Sequence, residues 1–482
     1  MNPLLFQTRA KALPALYSAM AMFSSSFAFA AEKPNIILMM ADDLGWGDVQ
    51  CFNPDTPIKT PELDAMAAAG MQLNRFYSSS PVCSPTRGSS ITGRHPFRYG
   101  VYYANTGKMK TEELTIAELL KTQGYTTGHF GKWHLGTMTT EIKDANRGRP
   151  NNTKEFSPPW LHGFDTCFST ESKVPTWDPM LKPKDFGTGS LKKGWDFIQD
   201  KSKAEPFGTH YWNEQGSIVT DNLEGDDSRV IMDRVVPFVE KAAEKQQPFF
   251  AVIWFHTPHL PVVAGPKYAA MYPDATDFEK NYNGCVTAMD EQIGRLRATL
   301  KQAGVSENTM LWFCSDNGPE GQKEAPGSAA KFKGRKRSLY EGGVRVPGIL
   351  EWPAKVKAGT VTDFPAVTSD YLPTILDSIQ AEYTGKRPLD GISLIPLMTG
   401  EKKERQKAIG FECKTQLAWH TQRYKLYSSN KGKSWELYDL SEDPYEKKDI
   451  AKQHPEIVTK LAAELASWRE SCKQSDQGGD YQ

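Results

Sequence analysis

Three short runs of almost unbroken apolar residues stand out along the chain: NIILMM at 35–40, FFAVIWF at 249–255 and TMLWFCS at 309–315. Their length and lack of polar alternation fit strands buried on both faces. Between and around them, apolar residues recur every three to four positions in TIAELLKTQG (115–124), RVIMDRVVPFVEKAAEK (229–245) and VTAMDEQIGRLRATLKQAG (286–304), which predicts amphipathic helices. Strands alternating with helices predict an α/β fold, a large mixed and mostly parallel sheet sandwiched by helices. Residues 137–225 are rich in Gly, Pro, Lys, Asp and Trp with weak periodicity, which predicts long surface excursions of the kind that shape substrate sites. Near 380–405 the composition shifts to that of a linker. Beyond it AIGFEC, RYKLYSS and SWELYDL alternate as antiparallel strands, and HPEIVTKLAAELASWRESC predicts a closing helix followed by a frayed end, KQSDQGGDYQ. The predicted organisation is a leader at 1–30, a main α/β domain at 31–395, and a smaller domain at 396–482 with an antiparallel sheet and the terminal helix.

Charge and the N-terminus narrow the possibilities. The 58 basic and 58 acidic residues cancel, which argues against a bulk polyanion binder and predicts no nucleic-acid partner. Arg9 and Lys11, the apolar run ALPALYSAMAMF and the small-residue end Ala28-Phe29-Ala30 have the layout of a secretory signal peptide, so the protein is expected in the periplasm or outside the cell. The apolar run is too short to span a bilayer, and no later segment reads as a membrane span. None of the seven cysteines, Cys51, Cys83, Cys167, Cys285, Cys314, Cys413 and Cys472, stands in a CxxC pair, which argues against a zinc or thioredoxin-like site. Export permits disulfides, and setting Cys83 aside for chemistry leaves an even number.

The polar residues that follow the strands carry the chemistry. NIILMM runs into Asp42 and Asp43, TMLWFCS into Asp316 and Asn317, FFAVIWF into His256 and His259, and GYTTGHFG into Lys132 and His134. In an open α/β sheet, ligands bind beyond the carboxyl ends of the strands, so these endings predict one shared site. Asp42 and Asp43 are adjacent and can hold one ion only if the chain turns there, which Gly45 and Gly47 permit. Three carboxylates and an amide suit a hard divalent cation of the calcium or magnesium type. Alone, ADD or SDNG reads as a turn or cap. Two such pairs at the ends of buried strands favour a site instead. Lys132 and His134 lie two apart and share a side in extended chain; each alone reads as a snorkelling lysine and a satisfied core histidine. Cys83 lies in SSSPVCSPTRGSSITG, a run of small polar residues that reads as an exposed turn. The basic run KFKGRKR (331–337) leads into SLYEGGVRVP, which separates it from a simple basic tail.

Cys83-Ser84-Pro85-Thr86-Arg87, followed after four residues by Thr92-Gly93, resembles the first signature of the type I, formylglycine-dependent sulfatases. GYTTGHFGKWHLG (124–136) resembles their second, and ADDLGWGD, FHTPHLP, SDNG and KRSLYEGGVRVP follow the family's order. The resemblance covers almost all of the chain after the leader and implies the alkaline-phosphatase-like fold. It implies that Cys83 is converted to formylglycine by a maturation enzyme, and that one hydroxyl of the hydrated aldehyde attacks sulfur. The second hydroxyl then re-forms the carbonyl and expels sulfate. It implies that Asp42, Asp43, Asp316 and Asn317, with the modified Cys83, bind a divalent cation, calcium with magnesium as the alternative. Arg87 is implied to fix the formylglycine, Lys132 and Lys336 to neutralise sulfate, His134 to handle the proton of the second hydroxyl, and His259 to contact sulfate or protonate the leaving oxygen. Lys333 and Arg335 compete with Lys336 for its role. The implied substrate is a sulfated oligo- or polysaccharide being degraded outside the cytoplasm, with Trp177, Trp195 and Trp212 expected to reach the site. The alternatives are an arylsulfatase, a phosphatase or phosphonate hydrolase of the same superfamily, and a non-catalytic binder of sulfated glycans.

Overall fold

The central sheet is built from ten strands, β1 (Asn35–Ala41), β2 (Met71–Leu73), β3 (Thr126–Lys132), β4 (Thr166–Thr170), β5 (Tyr211–Trp212), β6 (Ile218–Val219), β7 (Phe249–Trp254), β8 (Thr309–Ser315), β9 (Gly348–Glu351) and β10 (Thr360–Thr362). These positions come from a computed structural model that describes Met1 and residues 33–185, 193–321 and 324–481. Apart from Met1, the predicted signal peptide lies outside the described residues. The strand order is β10-β2-β9-β8-β1-β7-β3-β4-β5-β6. The middle of the sheet, β8-β1-β7-β3-β4, is parallel throughout, and antiparallel pairs appear only towards its two edges. The α/β expectation therefore holds.

The three apolar runs are the middle strands, and side-chain alternation divides their residues between two cores. Ile36, Leu38 and Met40 pack with Trp254, Trp312 and Tyr371 on one face, while Ile37, Met39 and Ala41 pack with Phe130, Val235 and Met289 on the other. Each fully buried side chain of this size contributes about 1.5–3 kcal/mol. The first face is covered by α1 (Cys83–Thr92) and α2 (Ile116–Thr122) and the second by α3 (Asp227–Glu244) and α4 (Asp277–Gln302). The Asp226 side chain caps α3 and Thr276 forms a capping box with Glu279 on α4. That box starts α4 well before the apolar period at 286 becomes visible.

Residues 137–225 depart from the expectation of surface excursions, because they supply β4, β5 and β6. Trp212 is 5% exposed in the core, with its indole nitrogen donating to Asp144 at 3.0 Å, and Trp177 packs against Gly265. Both are used in packing rather than in lining the site. The stretch 380–405 is also packed, with Leu394 and Met398 in the main core.

After it come β11 (Ile409–Cys413), β12 (Gln416–His420), β13 (Tyr424–Ser428) and β14 (Glu436–Asp439), an antiparallel meander. One face shares a core with Tyr77, Leu339, Val344 and Val367, and the other packs on α5 (Pro455–Asp476) through Leu461 and Leu465. The tail is not frayed. Asp480 pairs with the buried Arg94 at 2.6 Å and the Tyr481 hydroxyl donates to Glu113 at 2.5 Å. All seven cysteines are free, so the even remainder does not pair. Among the described residues no helix is long and apolar enough to cross a membrane.

Candidate active site

Register brings the strand ends level. Ala41 lies opposite Ser315, Met40 opposite Trp254, Trp254 opposite Gly131, and Lys132 opposite Thr170. The residues that follow are therefore delivered to one edge of the sheet, as in other open α/β sites.

Asp42 and Asp43 both face this edge because the chain turns at Asp43 itself, with φ +69°. The turn was expected from the glycines; instead Gly45 allows a close approach, since a Cβ there would lie 2.1 Å from the Ser328 carbonyl oxygen. His134 likewise has φ +59°, so Lys132 ends β3 and His134 sits beyond a turn rather than in extended chain. Left-handed non-glycine residues of this kind concentrate at functional sites.

The segment carrying Cys83 is neither exposed nor a turn. It is α1, and every one of its residues is buried, Cys83 itself being 2% exposed. Its polar residues tolerate burial because their hydroxyls bond within the chain: Ser89 to Thr86 O, Ser90 to Arg87 O, Thr92 to Gly88 O and Thr86 to Ser80 O. Gly93, with φ +67°, closes the helix. Cys83 occupies the first turn, where the helix dipole favours negative charge, and Arg87 lies one turn on along the same face.

Arg87 donates through Nη2 and Nε to Asp316 Oδ2 at 2.6 and 3.1 Å, and through Nη1 to the Lys132 carbonyl at 3.0 Å. Lys132 Nζ donates to Asp42 Oδ2 at 2.6 Å, and Lys336 Nζ to Asp43 Oδ1 at 2.5 Å and Oδ2 at 2.7 Å. Within the basic run it is Lys336 that reaches the Asp43 carboxylate. Lys336 enters the site, Arg335 turns away to the carbonyls of Glu320, Ala325 and Gly327, and Lys333 lies over the Tyr340 ring. Lys336 also lines an open depression of about 780 Å³, together with residues of the stretches Pro326–Ala330 and Gly334–Ser338.

His259 Nδ1 lies 2.7 Å from the Leu260 carbonyl, so it carries the proton and turns Nε2 towards Asp43 Oδ2 at 3.8 Å. His134 Nε2 lies 2.8 Å from Asn105 Oδ1, an oxygen that also accepts from Asn146 Nδ2 at 3.1 Å. Nε2 is then the donor, and the buried Nδ1 has no partner. His256, by contrast, is fully engaged by Thr170 and Asp227.

Burial opposes the ionisation of Asp42, but Lys132, His259, Arg87 and Lys336 hold its carboxyl well below the usual range. Burial and the Asp42 charge push Asp316 up to about 7. Burial raises the Cys83 thiol and depresses His134 strongly and His259 to about 3. Burial works against the Lys336 charge, but Asp43, Cys83, Asp42 and Glu320 together outweigh it and raise the group.

The donor set fits a hard cation. Asp42, Cys83 and Asp316 each offer an atom within 4.8 Å of the others, as do Asp42, Asp43 and His259. Asp42 Oδ1 and Asn317 Oδ1 are buried acceptors with no hydrogen-bond donor. Two such orphans in one carboxylate cluster are costly unless a cation is bound. Sequence reasoning missed Asn105, Glu320 and Lys173. Asn105 lies on a turn far from any signature, Glu320 anchors Arg337 beside Lys336, and Lys173 follows β4 in the segment taken for surface loop.

A parallel sheet with carboxylates, lysines and imidazoles gathered at its carboxyl edge defines a hydrolase of the alkaline-phosphatase-like class. The family model described as Sulfatase matches residues 34–381, and one described as N-sulphoglucosamine sulphohydrolase, C-terminal, matches 332–471. N-acetylgalactosamine-6-sulfatase of Mus musculus is 29% identical over 451 residues, covering 90% of this chain and 79% of its own. That of Canis lupus familiaris is 30% identical over 424 residues, covering 85% and 74%. The solved structure of Ps i-CgsB in complex with k-i-k-neocarrahexaose is 28% identical and covers 93% of this chain and 97% of its own, with a TM-score of 0.74. The chain belongs to the sulfatase family, and it is a sulfuric ester hydrolase.

Proposed function

We propose that this sulfatase removes sulfate from a sulfated oligo- or polysaccharide, through a formylglycine made from Cys83 and with a divalent cation, calcium or magnesium. The observation that carries the reading is the position of Cys83, in the first turn of a buried helix, inside a cage of three carboxylates, two lysines and Arg87. Asp42, Asp43, Asp316 and Asn317 would hold the cation with the modified residue 83, and a cation there supplies positive charge to the sulfate oxygens.

The cysteine marks where an aldehyde hydrate would stand. Its first hydroxyl would pass its proton to Asp316, which lies with Asp42 within 4.8 Å of the residue-83 side-chain atom. The oxygen so freed would bond to sulfur as the S–O bond to the sugar breaks, and the sugar oxygen would take a proton from His259 Nε2. His134 Nδ1 would then accept the proton of the second hydroxyl, so that the C–O bond to the sulfated oxygen breaks, the aldehyde re-forms and sulfate leaves with the oxygen of the first. Water adds back to restore the hydrate. Lys132 and Lys336 lie where they meet the sulfate oxygens, and Arg87 holds Asp316 and the start of α1 in place. His259 is neutral without substrate, so it takes up its proton as the anionic ester enters. The burial of Cys83 implies that its oxidation precedes folding.

A carbohydrate substrate is supported by the relatives, which include N-acetylgalactosamine-6-sulfatases and a protein bound to a neocarrahexaose. The leader supports export to the compartment where such polymers are met. Mass analysis of the residue-83 peptide, followed by assays on matched sulfate and phosphate esters and on defined sulfated oligosaccharides, tests the proposal. Expected are the mass of an aldehyde at residue 83 and preference for sulfated saccharides. An unmodified thiol in fully active enzyme, or faster turnover of phosphate esters, would sink it.

A further inference from the structure

We propose that Lys173 forms an anion subsite beside the scissile sulfate and reads a second negative group, a carboxylate or another sulfate ester, on the same saccharide. The inference rests on the sulfatase reading and adds a substrate class to it, polyanionic rather than singly sulfated carbohydrate.

Lys173 follows the fifth parallel strand end at the site edge. Lys132 lies opposite Thr170, and the next three residues run alongside the turn that carries His134. Their backbone is fixed at each step. The Glu171 carbonyl accepts from His134 N at 3.1 Å, that of Ser172 from Thr170 Oγ1 at 2.7 Å, and that of Lys173 from Thr209 Oγ1 at 3.2 Å. Glu171 is committed to Arg147 at 2.7 Å, and Ser172 Oγ accepts from Asn146. The lysine therefore projects from a rigid wall, which lowers the ordering cost of any ligand it meets.

Its ammonium has neither a hydrogen bond nor an ion pair among the described residues, although the side chain is largely buried. The charges that face it are those of the site: Lys132, Lys336, Asp42 and Asp43. Arg87, Lys132 and Lys336 match Asp42, Asp43 and Asp316 one for one, Arg337 matches Glu320, and Arg147 matches Glu171. Lys173 has no such match among the described residues. Burial, together with Lys132 and Lys336, lowers its affinity for its proton. A sulfate monoester brings one negative charge, which Lys132 and Lys336 would meet once a cation engages Asp42 and Asp43, leaving Lys173 without a counter-charge. A buried ammonium with no counter-charge is costly, and a second anion on the substrate removes that cost.

Pairs of saccharides with the same scissile sulfate and one extra anionic group provide the test: an N-acetylhexosamine monosulfate against its disulfate, and a sulfated disaccharide with and without a uronic carboxylate. Wild-type enzyme is expected to show a higher kcat/KM on the doubly charged member. Lys173→Gln should cut that preference about tenfold, and Lys173→Arg should keep it. Competition by the disulfate against nitrocatechol sulfate hydrolysis, measured in wild type and in Lys173→Arg, gives the same reading without the neutral variant. An equal loss on both members would assign Lys173 to the scissile sulfate and overturn the proposal, as would a wild type with no preference. Absence of turnover on every sulfate ester, by enzyme carrying the aldehyde, would instead overturn the sulfatase reading.

Discussion

Two buried charge clusters can be set side by side. One lies at the carboxyl edge of the main sheet, the other where that domain meets the small sheet. At the junction Glu341 accepts from Lys425 at 3.1 Å and from Tyr77 at 2.8 Å. Glu446 meets Lys425 at 2.7 Å and accepts from Glu341 N at 2.7 Å. Both carboxylates there are paired with Lys425, although Glu446 Oε1 and the His420 ring nitrogens have no hydrogen-bond partner. At the sheet edge Asp42 Oδ1 and Asn317 Oδ1 have none, His134 Nδ1 is free, and Lys173 lacks a counter-charge. The open atoms at the junction lie beside cations already paired with its carboxylates. At the sheet edge, by contrast, the open acceptors belong to Asp42 and Asn317, residues that would hold a cation, and the edge is held rigid from outside. Here the support comes from α1, the Asn146–Asn105–His134 chain and the Glu171–Arg147 pair.

The contrast breaks most visibly at Cys83. Cys83→Ala should lower turnover by about a thousandfold or more in steady-state assays, with little change in the melting midpoint. Asp42→Asn should also cost activity by about a hundredfold or more, and should lower the melting midpoint less than a junction variant does. Lys425→Met should do the reverse. Removing the lysine charge leaves Glu446 buried without its ion pair and Glu341 with Arg345 at 3.5 Å, a cost of about 3–5 kcal/mol by denaturant titration, with kcat of the remaining folded enzyme near normal.

Smaller effects sharpen the picture. Deleting residues 478–482 removes the partners that Asp480 and Tyr481 supply to Arg94 and Glu113, and should cost about 1–3 kcal/mol in the same titration. Asn105→Ala frees the His134 tautomer and should lower kcat about tenfold with KM nearly unchanged, whereas Asn105→Asp, which keeps the acceptor, should recover part of it. The smallest effect is a pH dependence at the docked tail. His95 is packed against Trp468, and burial depresses it to about 4. The unfolded chain then binds the extra proton, so stability present above pH 6.5 is lost as pH falls towards 4. Between pH 7 and 5.5 the loss should be about 1 kcal/mol, and His95→Gln should flatten it.

The sequence was readable where the physics is local. Apolar runs too short for helices marked β1, β7 and β8, and a 3.6-residue period marked α3 and α4. β4 escaped because TCFST is short and half polar, and with it went Lys173. β12 escaped between two strands that alternate more clearly. The burial of α1 was hidden because hydroxyls that bond their own backbone read as exposed polar residues.

By itself the sequence determined the middle strands β1, β3, β7 and β8 and the polar residue types that end each one, since period and turn chemistry depend only on neighbours. It also determined the family, through ordered motifs. Tertiary structure alone decided which of those residues meet. Asp43 and Asn317 approach to 2.7 Å across a separation of 274 residues, and Lys336 rather than Lys333 or Arg335 reaches Asp43. Strand register and the left-handed turns at Asp43 and His134 set those encounters, and register is fixed by packing between segments far apart in the chain.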